Sequence, residues 1–480
     1  MPLAALSFTP PGLFIGLALS IVLLTAALLY VYLRFKKRIA SLEKVIKKKS
    51  EDLTAEREKR EALLGSFLPK NTANEIMTKG KGNKVKYNFV TVLFSDIQGF
   101  TQFAEEMNPE VLIDELDKFF FHFDSVVEKY GIEKIKTIGD AYMCAGGLPE
   151  KNRTNPVEVI LAALEMQNYM ARMKDSTEIE GMKFWDIRIG IHTGTVVAGV
   201  IGQKKLSFDI WGDTVNTASR MESSGDAGKI NISGTTYEFV KDFYTCEYRG
   251  KMPVKYKGEL EMYFVNGIRP ELSEPDGSPN FRFITRLRML RVQDMEEIVL
   301  KMFEEDAPPD LYFHNASLIR NICNQVELLS NAMQLPDEDF VNLKLASAFM
   351  FSGYVTDYEN PMDASLILAE SRLPGYGFSK ENVEETKRLI VNSFIGRRET
   401  TSDNILHDAR YDYLGRVDFV KLSEKEYREL AEHGFQCDRK AWMEIQKKAL
   451  MEHDFITDTA KLLRSVAVEE QIKSLAVYAE

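Results

Sequence analysis

The 480-residue sequence is poor in cysteine: Cys144, Cys246, Cys323 and Cys437 stand far apart, and no CxxC pair occurs. That spacing excludes a disulfide scaffold and a zinc-ribbon site, and it fits a reducing compartment. An excess of positive charge is missing too, since 61 Lys and Arg face 72 Asp and Glu, a net charge of −11. A general nucleic-acid binder carries a basic field, so that class is set aside. There is no internal repeat and no extended low-complexity tract. Ordinary shares of hydrophobic (45%) and charged (28%) residues exclude a wholly disordered chain. The length allows about two to four domains.

Leu13–Leu33 departs from these averages, because it is apolar and carries no charge. As a helix it would be about 31 Å long, enough to cross a bilayer core. No Lys or Arg precedes it, whereas RFKKR (Arg34–Arg38) and Lys47–Lys49 follow. The positive-inside rule then puts residues 1–12 on the extracytoplasmic side and everything from Arg34 onward in the cytoplasm, with Tyr30 and Tyr32 near an interface. A cleaved signal peptide would need a basic n-region and a small-residue cleavage site, and neither is clear. The expectation is a single-pass anchor in a cell inner membrane. Residues 34–82 read as a charged helix and connector. Ile39, Leu42, Ile46, Leu53, Leu63 and Phe67 share a and d positions of one heptad frame with Lys49, Glu56 and Arg60. Such a helix is either a solvated membrane-proximal rod or a short parallel coiled coil whose polar seam residues set register.

From Tyr87 strands and helices alternate. FVTVLFSDI (Phe89–Ile97) is a buried strand, Asn108–Tyr130 an amphipathic helix, and KIKTIGDAYMCAGG (Lys134–Gly147) two strands about a Gly139–Asp140 turn. This alternation predicts an α+β or α/β domain, placed over 83–268. Asp96 ends the first strand and Asp140 sits in the turn. Carboxylates on strand ends beside glycines suit a hard divalent cation that also takes substrate phosphate oxygens. A helix-capping Asp and a turn Asp would look the same by spacing alone.

Four segments decide between these readings: FSDIQGFTQFAEEM (Phe94–Met107), KIKTIGDAYM (Lys134–Met143), IRIGIHTGTVVAGVIG (Ile187–Gly202) and FDIWGDTVNTASRMESSG (Phe208–Gly225). In this order they closely resemble the catalytic domain of class III nucleotide cyclases. The resemblance implies a ferredoxin-like βαββαβ core with added elements. It also implies a head-to-tail dimer in which a ribose 3′-hydroxyl attacks the α-phosphate of a nucleoside triphosphate and pyrophosphate leaves. Carried over by motif, Asp96, Asp140 and the backbone carbonyl of Ile97 match the ligands of two metal ions, Mg²⁺ or Mn²⁺. Asn216 and Arg220 match the pair that positions the ribose and stabilises the transition state, and Lys255 matches the lysine on the terminal phosphates. Lys136 and Asp209 match the base-reading pair. Lys136 can donate to adenine N1 and Asp209 can accept from its amino group, whereas the guanylate-forming members carry Glu and Cys there. ATP is the expected substrate, and a guanylate cyclase or a silent cyclase-like scaffold is the alternative. Thr195 departs from members that place an Arg near the phosphates. Metal-binding and base-binding sets occur in one chain, so a homodimer with two equivalent shared sites is expected. That need favours the coiled-coil reading of the preceding helix.

RPELSEPDGSPN (Arg269–Asn280) reads as a linker, placed over 269–282, and residues 283–480 read as all-α. Leu311–Leu329, Leu345–Ser365, Leu373–Ser379 and Ile405–Phe419 resemble an HD-type phosphohydrolase domain. Its metal-ligand positions fall here on Leu318, Phe351, Ser352 and Pro361, leaving Asp408 alone. A hydrolytically dead domain is expected. It would act on the cyclase through a regulatory ligand or protein partner, or simply strengthen dimerisation.

Overall fold

The computed structural model describes residues 11–65, 68–79, 82–179, 185–202, 206–254, 258–464 and 466–477. The chain divides into two compact units, Met1–Val85 with Ala198–Asp209, and Lys86–Val197 with Ile210–Glu480.

In the first unit, helix α1 (Pro11–Gly65) is followed by α2 (Lys70–Lys79), with Pro69 just before the second helix. The side chains of residues 13–22 lie outside the described residues. The remaining apolar stretch, Leu23–Leu33, is about 17 Å of helix against a bilayer core of about 30 Å. Among the described residues, no helix is long and apolar enough to cross a membrane. The expected span, and the membrane embedding drawn from it, therefore find no support. Farther along α1 the heptad residues Ile39, Leu42, Ile46, Leu53 and Leu63 are all exposed, and Phe67 lies outside the described residues.

The second unit is built on a mixed sheet. The strands of the sheet are β1 (Val85–Ile97), β2 (Glu133–Ile138), β3 (Ala141–Gly146), β4 (Ile187–Ile201), β5 (Ser207–Trp211), β6 (Ile230–Ser233), β7 (Tyr244–Val254) and β8 (Gly258–Ile268); Val85, Ala198–Ile201 and Ser207–Asp209 among them belong to the first unit. The order is β2-β3-β1-β4-β6-β8-β7, with β5 on β4. Between the strands run α3 (Phe100–Glu106), α4 (Pro109–Lys129), α5 (Asn155–Ile179), α6 (Asp213–Ser223) and α7 (Gly234–Val240). The chain order β1-α4-β2-β3-α5-β4 with the spatial order β2-β3-β1-β4 is that of a βαββαβ core. β1 lies inside the sheet, and its Val90, Val92 and Leu93 are fully buried, as the continuous apolar run of a strand covered on both faces requires. α4 starts where Asn108 accepts from the Glu110 N–H and Pro109 supplies a preset φ. It buries Phe119, Phe123 and Val126 with Ile160 and Met166 of α5 against Leu93, Ile187 and Ile189.

Beyond β8 the segment expected as a linker is folded. Pro270–Leu272 forms a 3₁₀ turn, Ser273 bridges Pro279, and Leu272 is buried in the core beneath the sheet. Helix α8 (Phe281–Glu305) then serves two cores. Phe283 and Leu287 belong to the core of the sheet domain, and Val292, Met295, Val299 and Phe303 to the next. That second core is completed by α9 (Ala316–Ala332), α10 (Asp337–Phe349), α11 (Pro361–Arg372), α12 (Lys380–Ile395) and α13 (Thr401–Arg410). Helices α14 (Phe419–Glu432), α15 (Arg439–Glu452), α16 (Asp458–Leu463) and α17 (Val468–Val477) follow. The region is helical as expected, without a strand among its described residues.

Candidate active site

Two backbone features bring Asp96 and Asp140 together. β2 and β3 form a hairpin in which Ile138 faces Ala141, leaving Gly139 and Asp140 as a two-residue turn. Gly139 holds φ 63°, a conformation that glycine adopts without a steric penalty. β3 pairs antiparallel with β1 in a register that sets Ser95 opposite Tyr142. Continued past that pair, the register carries Asp96 and Ile97 to the level of the turn. Ile97 is buried and pins the strand end to the core, while Asp96 and Asp140 are half-buried.

Electrostatics fits a cation site. Burial raises the Asp140 carboxyl above its ordinary value, the Asp96 charge raises it further, and the N–H groups of Asp140 and Ile97 oppose the rise. Ionising both acids side by side is costly, and a divalent cation between them removes the cost. Among the described residues, no group of three or more His, Cys, Asp and Glu side chains is arranged to hold a metal alone. Two carboxylates suit a cation that fills its other positions with water and phosphate oxygens.

Two neighbours of this pair were not singled out from the sequence. Arg188, near the start of β4, places Nη2 2.8 Å from Asp96 Oδ2 and 3.0 Å from Glu222 Oε1. Burial lifts Glu222 to about 7; Arg188 opposes the lift, and the charges of Asp96 and Asp140 add to it. Both residues lie inside motifs already noted, IRIGIHTG and SRMESSG. Ile187, Ile189 and Ile191 are buried at every second position, so Arg188 and Gly190 belong to the other face. A charge at such a position of an apolar strand is a signal that could have been read.

α6 lies along β4 because of two glycines. A Cβ on Gly190 would come 1.8 Å from Glu222 N, and one on Gly194 would come 2.6 Å from Thr214 Oγ1. The four strand steps from 190 to 194 span about 13 Å and the eight helix steps from 214 to 222 about 12 Å, so the elements stay in step. Thr214 also donates to the Thr195 carbonyl at 2.7 Å. On this anchored helix Asn216 is exposed and Arg220 half-buried. They are four apart and share a face, and among the described residues neither side chain has a hydrogen-bond or ion-pair partner. Lys136 is half-buried in β2, opposite Met143, next to a register shift. Asp209, half-buried in β5, belongs to the first unit. Lys255 lies outside the described residues. The structure thus joins Asp96, Ile97 and Asp140, adds Arg188 and Glu222 to them, and holds Asn216 and Arg220 on a separate helix face.

The segment that carries the acid pair and the helix-borne Asn and Arg has counterparts in sequence among known proteins. Residues 83–267 match the family model described as the adenylate and guanylate cyclase catalytic domain. The segment is a nucleotide cyclase catalytic domain. An adenylate cyclase of Mycobacterium tuberculosis (strain ATCC 25618 / H37Rv) is 38% identical over 217 residues, 45% of this chain and 48% of that protein. The receptor-type guanylate cyclase gcy-5 of Caenorhabditis elegans is 34% identical over 243 residues, 50% of this chain and 22% of that protein. The crystal structure of the adenylyl cyclase CyaB from P. aeruginosa is 31% identical and covers 40% of this chain and 100% of that one, with a TM-score of 0.38. The chain spans about half the length of the mycobacterial relative. Adenylate- and guanylate-forming relatives stand at similar identity, so likeness to the cyclases does not by itself choose the base.

Proposed function

We propose that this chain is an adenylate cyclase that converts ATP to 3′,5′-cyclic AMP and pyrophosphate, working as a homodimer with shared sites. The observation that carries the choice of base is the pair Lys136 and Asp209 at the base-reading positions. Adenine presents an acceptor at N1 and a donor amino group, matching an ammonium and a carboxylate. Guanine presents its N1–H to the ammonium and O6 to the carboxylate, and both contacts become repulsive.

Asp96, Asp140 and the Ile97 carbonyl are the residues proposed to hold Mg²⁺ or Mn²⁺, two ions per site. When bound, such ions activate the ribose hydroxyl and stabilise the leaving oxygen. In the reaction the 3′-oxygen forms a bond to the α-phosphorus, the bond to the β-phosphate oxygen breaks, and the hydroxyl proton passes to solvent. Asn216 orients the ribose. The Arg220 fork meets the charge that develops on the α-phosphoryl oxygens, where electrostatic stabilisation is most effective. Lys255 is assigned to the terminal phosphates. Each chain carries both halves of the machinery, and the exposed heptad residues of α1 offer a seam for a second copy. The helical region beyond α8 is proposed as an HD-like fold without its metal ligands. Leu318, Phe351 and Ser352 are buried, and Pro361 opens α11. Asp408 accepts from the Ile456 and Thr457 N–H groups and the Thr457 hydroxyl.

The test is product formation by the full chain with ATP and GTP offered separately, before and after Lys136→Glu with Asp209→Cys. A site built on hydrogen bonds discriminates by about 10² or more, so the double substitution should move the ATP:GTP ratio of kcat/KM at least that far toward GTP. An unchanged ratio would remove the base assignment.

A further inference from the structure

We infer that Arg188 is a positioning residue for the metal-binding carboxylate of Asp96, working as one arm of a half-buried Asp96–Arg188–Glu222 bridge. This rests on the reading of Asp96 as a metal ligand and adds a second layer to it. The bridge is built from opposite sides. Asp96 comes from the end of β1, Arg188 from β4, and Glu222 from the last turn of α6. One guanidinium nitrogen serves both acids, at 2.8 Å to Asp96 Oδ2 and 3.0 Å to Glu222 Oε1. The side chains are 26% exposed at Asp96, 24% at Arg188 and 11% at Glu222, so the charges are held largely away from water.

Geometry rather than packing volume sets this arrangement. Glu222 cannot drift from the strand, because Gly190 lets the α6 backbone press directly onto β4. With Glu222 fixed, Arg188 is held from one side and extends to Asp96 on the other. It takes one carboxylate oxygen, Oδ2, and leaves Oδ1 to other partners. A carboxylate fixed through one oxygen pays less ordering entropy when the other meets a cation, the usual role of groups that stand behind metal ligands. The bridge also neutralises a third acid that would otherwise face Asp96 and Asp140 unpaired. With all three acids ionised, Arg188 leaves two negative charges, which one divalent cation balances, so that a second ion brings positive charge for the phosphates.

The opposite sign is physically possible. A guanidinium already on Asp96 could compete with the metal, and its removal would then tighten metal binding. Mn²⁺ binding to the full chain without nucleotide separates the two, with the free-ion signal followed by electron paramagnetic resonance. Arg188→Met should weaken Mn²⁺ binding about tenfold or more, raise the Mn²⁺ concentration needed for half-maximal turnover by a similar factor, and leave kcat at saturating Mn²⁺ within about threefold, because supporting-shell losses run from 10- to 100-fold in affinity. Arg188→Lys keeps the charge without the fork and should fall between wild type and Met. Arg188→Met combined with Glu222→Gln removes the acid left unpaired in the single variant. It serves if Arg188→Met alone fails to fold, and it should bind Mn²⁺ as weakly. Wild-type or tighter Mn²⁺ binding in the Met or double variant would overturn the proposal. Asp96→Asn is the control. If it binds Mn²⁺ like wild type, the assignment of Asp96 to the metal has failed, and the positioning role falls with it at that earlier step.

Discussion

Asp140→Asn is expected to cost the full chain about 10²–10⁴ in cyclic AMP formation while leaving the metal-free protein no less stable than wild type. The activity loss follows from the several kcal/mol of charge stabilisation that a catalytic cation supplies, at about 1.4 kcal/mol per factor of ten. The stability half follows from the sign of the pKa shift. The Asp140 carboxyl is raised by burial and by Asp96. Its folded value lies above its unfolded one, so its contribution is fully favourable only below the unfolded value and is lost as the pH rises through the folded value. At neutral pH and without metal, the charged Asp140 therefore strains the fold, and a neutral amide of the same shape relieves it. Mn²⁺ should raise the wild-type melting temperature, because it binds the folded state alone, and should raise that of Asp140→Asn far less. Melting curves with and without Mn²⁺, beside turnover, check all three statements. A structural turn aspartate would behave the other way: substitution would lower the melting temperature and spare turnover. Full activity in Asp140→Asn would end the two-metal account.

The strand end and the turn that carry Asp96 and Asp140 were legible locally, whereas the metal role came from the motif resemblance and not from spacing. A β-branched run ending in Asp and a Gly-Asp turn are both readable from spacing, and the hairpin needed only the two-residue loop between Ile138 and Ala141. The helix face of Asn216 and Arg220 was legible for the same reason. Arg188 and Glu222 were not found, although both lie in quoted motifs, because their meaning depends on α6 being pressed against β4. That approach is permitted by Gly190, and nothing in the sequence marks this glycine as a contact rather than a turn. The folded segment after β8 was missed for a related reason. Pro, Gly, Ser and acid predict loop chemistry, which is present in the 3₁₀ turn and the bridge of Ser273 to Pro279, yet they do not say that Leu272 fills the catalytic core. The apolar stretch near the N-terminus is plain in composition, but composition reports that a helix is apolar and not where its side chains lie.

α8 carries the other large effect. A periodic pattern identifies one amphipathic helix, and it does not reveal that the first turns pack on one domain and the later turns on another. Phe283 is fully buried, with its ring edge-on to Phe243 at 5.2 Å and to Tyr244 at 6.0 Å. Around it Arg286 donates to the Asp242 carbonyl at 2.6 Å, Arg291 pairs with Glu158 at 2.6 Å, and Arg153 pairs with Asp294 at 2.9 Å. The ion pairs are partly exposed and contribute little singly; the phenylalanine socket dominates. Phe283→Ala in the full chain should cost about 3–5 kcal/mol by lost burial and the cavity left behind. Urea denaturation of the full chain, followed by tryptophan fluorescence, should show the loss as an earlier transition of the catalytic domain. A catalytic domain cut at Ile268 loses the same plug together with Leu272 and Leu287, and exposes Phe243 and Tyr244. It should melt well below a version that runs through the first turns of α8. If the two versions melt together, α8 is a tether and Phe283 a surface accessory. If they differ as expected, deletion of everything after β8 cannot be read as removal of a regulator, because it opens the catalytic core. The helical region must then be probed by substitutions beyond Val292, on the face of α8 that belongs to the second core. A change in cyclic AMP formation there, at unchanged melting temperature of the catalytic domain, is the result that a regulatory role requires.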